Sequence, residues 1–101
     1  MNLNHPIVFA EPQYLPILIA NGADVNARNV RGETRLIIAA HQLDDDTAQV
    51  LLEHGAQPQL KDATGRTALM IVESIKERMV DAATTHADAF IVQLNKHGAG
   101  E

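Results

Sequence analysis

Two stretches of this chain are near copies of each other: NGADVNARNVRGET at 21–34 and HGAQPQLKDATGRT at 54–67. Gly22 and Gly55, Gly32 and Gly65, Thr34 and Thr67, and Leu36 and Leu69 each stand 33 residues apart, and LIANGA at 18–23 returns at the same offset as LLEHGA at 51–56. A fixed period of this length marks stacked supersecondary units, each with an apolar face that only a neighbour can cover. The chain is therefore expected to fold as a row of like units rather than around one central sheet.

Every element of the repeat has a mechanical reading. Gly22 and Gly55 follow apolar helical runs, where a helix C-terminus favours the left-handed conformation that glycine adopts cheaply. NVRG (29–32) and DATG (62–65) place Asn or Asp first and Gly fourth in a tight turn, so that the short side chain can bond local backbone N–H groups. Thr34 and Thr67 precede the apolar runs LIIAA and LMIV as N-caps should. Asp44, Asp45 and Asp46 precede a further helical run, where carboxylates cap the helix and complement its dipole. The unit reads as turn, helix, short loop, helix.

NGADVNARNVRGETRLIIAA and LLEHGAQPQLKDATGRTAL resemble ankyrin repeats, whose period is also 33 residues. The resemblance is close over residues 17–72 and looser elsewhere. It implies an all-α ankyrin-repeat solenoid, with antiparallel helix pairs joined by hairpin-like turns, that binds other proteins. The Thr-Pro-Leu-His segment of the family reads TRLI at 34–37 and TALM at 67–70, without proline or histidine. Ile37 and Met70, in the histidine's place, are expected to pack between units.

One domain, 1–101, is expected, with an abbreviated first repeat at 1–28, a full repeat at 29–61 and an extended C-terminal repeat at 62–101. HPIVFA (5–10) resembles the start of a first helix. In the last repeat about ten residues separate the observed Gly98 from where a regular unit would end. Leu69, Val72, Ile75, Met79 and Val80 keep helical spacing and predict a helix over 68–80. Thr85 with Asp88 suggests a variant capping box for the closing helix.

Composition narrows the function. The chain has no cysteine, a single serine, Ser74, and glycines that punctuate turns rather than form a phosphate loop. No nucleophile with an evident base is present, so no enzyme, cofactor or catalytic residue is predicted. His54 and His97 sit beside helix-ending glycines, suited to the negative end of the dipole, and no metal site is predicted from them or from the Asp44–Asp46 run. A net charge of −5 argues against nucleic acid as a partner. The opening residues lack the pattern of a signal peptide or membrane span, and a cytoplasmic protein with no membrane partner is expected.

Charge is unevenly placed. Residues 27–35 and 60–67 hold Arg28, Arg31, Arg35, Lys61 and Arg66 against Glu33 and Asp62, a net +3, which leaves −8 on the remainder. Stacked units align their turns, so these cations predict one basic edge able to steer a partner with an acidic patch. The family resemblance implies partner contacts at turn tips and the exposed face of each first helix. On matching positions these are Val30, Arg31, Glu33 and Arg35 in one unit and Ala63, Thr64, Arg66 and Ala68 in the next, with His41, Gln42 and Ser74 farther along the groove, and the basic edge adds Arg28 and Lys61. A non-catalytic protein-binding module follows. The alternatives are an inhibitor or immunity-type protein that occludes an enzyme or toxin, and a structural unit that completes its short stack by homodimerising.

Overall fold

The computed structural model describes residues 11–79 and 84–97. After a single 3-10 turn at Pro12–Tyr14, the helices are α1 (Leu15–Ala20), α2 (Arg35–Gln42), α3 (Asp45–Glu53), α4 (Ala68–Glu77) and α5 (Thr85–Lys96). The chain is all-α among the described residues, and HPIVFA and Val80 lie outside them.

The helices stack in two layers. Helix α2 packs on α4 in one layer and α1, α3 and α5 pack in sequence in the other, while α2–α3 and α4–α5 form the antiparallel pairs. Short apolar side chains allow this close approach. Leu36, Ile37, Ala39 and Ala40 of α2, Ala48, Leu51 and Leu52 of α3, and Phe90 and Leu94 of α5 form one continuous core with Leu15 and Val72. Burial of each large aliphatic side chain is worth about 1.5–3 kcal/mol, so the stacking surfaces, not the individual helices, hold the fold together.

The ends of the helices are fixed by the expected residues. Thr34 Oγ1 accepts a hydrogen bond from the Ile37 N–H at 3.2 Å and Thr67 Oγ1 from the Met70 N–H at 3.3 Å. Asp44 caps α3 by accepting from the Thr47 N–H and hydroxyl at 3.2 and 2.6 Å. Gly22 and Gly55 both have φ of 95°, the left-handed conformation expected at these helix ends. His54 lies against the Val50 carbonyl at 2.8 Å, as a helix-end histidine should. Leu43 is a left-handed residue that the sequence did not announce, with φ of 52°, at the sharp step from α2 to α3.

Two expectations for the last unit are corrected. Helix α4 ends at Glu77 rather than 80, so the added length is divided: α4 has ten residues against eight in α2, and α5 twelve against nine in α3, with the rest in the connection. Helix α5 begins one residue early, with Thr84 at the N-cap, and it is the Thr84 hydroxyl, not that of Thr85, that donates to Asp88, at 3.1 Å. Met70 also departs from expectation. Ile37 is 1% exposed beneath the following unit, whereas Met70 at the equivalent place is 49% exposed because no described helix stacks beyond α4.

Candidate functional site

The tips of the two turns are built on the same bracket. In the first, Asn29 Oδ1 accepts from the N–H groups of Arg31 and Glu33 at 2.9 and 3.0 Å. In the second, Asp62 Oδ1 accepts from the N–H groups of Thr64 and Arg66 at the same two distances. The tips are then tied together by the Ala63 N–H, which donates to the Arg31 carbonyl at 3.2 Å, and farther back by the Gln57 N–H, which donates to Asn26 Oδ1 at 2.9 Å. At Gly32, φ is 75° and a Cβ would lie 2.9 Å from the Ala63 nitrogen, so this close approach requires glycine.

Between the joined tips and α2 lies a groove. One cavity of about 450 Å³ is lined by Arg31, Glu33, His41, Asp62, Ala63, Thr64 and Arg66. A second, of about 260 Å³, shares Arg31, Glu33 and His41 and continues along α2 to Ile38 and Gln42. Six of the residues nominated from sequence thus converge on one concavity: Arg31, Glu33, His41, Ala63, Thr64 and Arg66. Arg28, Val30 and Lys61 are exposed on the same edge without lining the groove. Ser74 is exposed but lines neither cavity. Asp62 lines the first cavity and Ile38 the second without having been nominated; the place of Asp62 at the head of the DATG turn, beside the nominated Ala63 and Thr64, was the signal available for it.

Arg35 is the clear correction. It is 5% exposed, so it cannot act as a surface cation of the basic edge. Its Nε and Nη1 are buried without a hydrogen-bond partner among the described residues. Burial lowers its affinity for a proton, with Asp44 acting in the opposite sense. The position explains the outcome: Arg35 immediately follows the N-cap of α2, and the equivalent residue of α4, Ala68, is 1% exposed. That place turns into the stack in both units, which also removes Ala68 from the exposed face.

The remaining charges differ in freedom. Glu33 is largely enclosed, with one carboxylate oxygen accepting from the Asn29 amide at 2.9 Å and the other 3.5 Å from His41 Nε2. Asp62 is buried and held down to about 2 chiefly by the Thr64 hydroxyl, 2.6 Å away, and the Arg66 N–H. Its second oxygen lies 3.4 Å from the Arg66 guanidinium. Arg28, Arg31 and Lys61 are exposed and make no ion pair among the described residues. No described group of His, Asp or Glu has the arrangement of a metal site, and no described helix is long and apolar enough to cross a membrane.

Paired helices in two layers, a 33-residue offset and hydrogen-bonded tips that project from the stack define a helical repeat solenoid. The chain belongs to the ankyrin repeat family: the family model of ankyrin repeats (3 copies) matches residues 9–84. It is 51% identical to the mitochondrial disaggregase of Bos taurus over 45 residues, 45% of this chain and 7% of that protein. It is 38% identical to a putative ankyrin repeat-containing protein of Treponema pallidum (strain Nichols) over 52 residues, 52% of this chain and 17% of that one. A putative ankyrin repeat protein of Acanthamoeba polyphaga mimivirus is 34% identical over 64 residues, 63% of this chain and 40% of the relative. The matched stretches thus cover from 7% to 40% of the length of these relatives. Ankyrin repeats are generally protein-interaction modules without catalytic activity.

Proposed function

We propose that this chain is a non-catalytic binding module whose partner protein occupies the groove between the turn tips and α2. The carrying observation is the convergence of Arg31, Glu33, His41, Ala63, Thr64 and Arg66 on one cavity, beside an exposed Val30 and the cations Arg28 and Lys61. A rigid rim of backbone hydrogen bonds with side chains free to vary suits recognition, because little ordering entropy is lost when a partner docks. The basic edge on a chain of net charge −5 favours a partner with an acidic patch, and the absence of cysteine accords with a cytoplasmic setting.

A photoactivatable phenylalanine at Ala63, on the groove, should capture a host protein that the same group at Gln49, exposed on α3, does not. Capture of the same protein from both positions, or from Gln49 alone, would refute the assignment of the groove.

A further inference from the structure

The two tips share a backbone but not a charge pattern. Across the 33-residue offset, Asn29 corresponds to Asp62, Val30 to Ala63, Arg31 to Thr64 and Glu33 to Arg66. In the second tip the bracket residue is a carboxylate, and it retains the local cation: Arg66 lies 3.4 Å from Asp62. In the first tip the bracket residue is a neutral amide. It makes the same two backbone hydrogen bonds, and its own N–H donates to Glu33, so it offers Arg31 no negative charge. Glu33 is in turn occupied by Asn29 and His41. Arg31 therefore faces the groove with its guanidinium unpaired among the described residues, while the other groove cation is held internally.

We propose, resting on the assignment of the groove as the partner site, that its occupant is an acidic peptide segment with one carboxylate on Arg31, and that Asn29 sets this preference by denying Arg31 an internal counter-ion. Charge complementarity carries the choice of occupant. The groove's two carboxylates are already engaged by side chains of the chain itself, and the charges left exposed along the edge, on Arg28, Arg31 and Lys61, are all positive. Arginine pairs a carboxylate through its planar fork, which gives geometric selectivity that a lone ammonium lacks. A basic segment meets like charge on Arg28, Arg31 and Lys61, and a neutral one gains no charge pairing there.

Asn29 is a positioning residue, and its role can be separated from folding. The Asn29→Asp/Glu33→Gln pair keeps the net charge and moves the carboxylate into the bracket, where Asp62 shows that it fits. In the second tip the residue two on, Thr64, bonds the bracket carboxylate at 2.6 Å through a hydroxyl carried on its Cβ; Arg31 holds the matching position, and its longer, exposed side chain is free to fold back and set its guanidinium beside the new charge.

The test is fluorescence anisotropy with labelled peptides that carry Glu, Gln or Lys at the same positions among leucines and glycines. The Glu peptide should bind the wild-type chain about tenfold or more tightly than the Gln peptide, a preference that weakens with salt. Arg31→Ala should abolish the preference, Arg31→Lys should keep part of it, and the Asn29→Asp/Glu33→Gln pair should reduce it with an unchanged circular dichroism spectrum. Equal affinity for the three peptides, tighter binding of the Lys peptide, no binding of any, or a preference that survives Arg31→Ala would overturn the inference. Ala63→Arg, which fills the groove, distinguishes the two levels. Binding that ignores Arg31 but is lost in Ala63→Arg sinks only the acidic occupant, whereas binding insensitive to both sinks the groove assignment as well.

Discussion

Replacing Arg35 with methionine should make the protein more stable, although it deletes a charged residue that the charge pattern of the turns places on the basic edge. Arg35 as a whole is 5% exposed, and two of its guanidinium nitrogens are buried with no acceptor among the described residues. A buried donor left unsatisfied costs about 1–3 kcal/mol, so two cost roughly 2–6 kcal/mol. The attraction to Asp44 returns part of this, about 1 kcal/mol for a pair of this kind. Methionine retains most of the aliphatic stem and its packing. The lower end of what remains is a gain of about 1 kcal/mol, which for a domain of this size raises the melting temperature by roughly 5 °C. Thermal unfolding followed by far-ultraviolet circular dichroism measures it directly. A melting temperature that is unmoved or lower in Arg35→Met would show that the buried guanidinium is satisfied in solution and that the desolvation argument is wrong.

Other perturbations test the joints of the fold. Gly32→Ala combines a φ of 75° with a Cβ placed 2.9 Å from the Ala63 nitrogen, whereas Gly55→Ala at φ 95° meets nothing within 4 Å. Urea denaturation should therefore show a loss of about 1–2 kcal/mol for Gly55→Ala from the left-handed backbone alone, and a distinctly larger one for Gly32→Ala; equal losses would mean that the tips are not in register. Asp62 binds its proton less readily in the folded state, so its contribution is complete above the usual carboxylate range and disappears as the pH falls toward about 2. Acid unfolding curves of the wild type and Asp62→Asn should accordingly converge in that window, and curves that stay parallel through it would contradict the assignment. The opposite sign holds for His86, whose pKa is raised by its 2.7 Å hydrogen bond to Asp45 and by that carboxylate's charge. Its stabilisation is present below the ordinary histidine value and fades as the pH rises through the folded one, so Asp45→Asn should cost more at mildly acidic pH than at alkaline pH, where only the interaction of Asp45 with the N-terminus of α3 is lost; a pH series of melting temperatures would reveal the difference.

The sequence made the punctuation legible because caps and turns are local chemistry. Thr34, Thr67 and Asp44 act on N–H groups three residues away, and Gly22 and Gly55 answer a backbone need independent of neighbours. Groove residues were found for the same reason: a 33-residue repeat brings equivalent turn positions side by side in a stack. What escaped was set by tertiary contact. The inward turn of Arg35 depends on which side of α2 meets the neighbouring unit, although Ala68 in the same register was a readable hint. The division of the insertion between α4, its connection and α5 depends on how far each helix packs before its apolar face runs out. The pairing of Arg66 with Asp62, and the freedom it leaves to Arg31, required distances that spacing alone does not supply.

The bracket at each tip assigns shape to very few positions. The amide or carboxylate at 29 and 62, the glycine at 32 and 65 and the cap at 34 and 67 hold the backbone, with the Thr64 hydroxyl bonded into the second bracket, while the side chains at 30, 31 and 63 extend from a loop whose course is already settled. Recognition and foldedness are consequently written in separate alphabets along the same few residues. A lineage, or an engineer, can rewrite the first without disturbing the second.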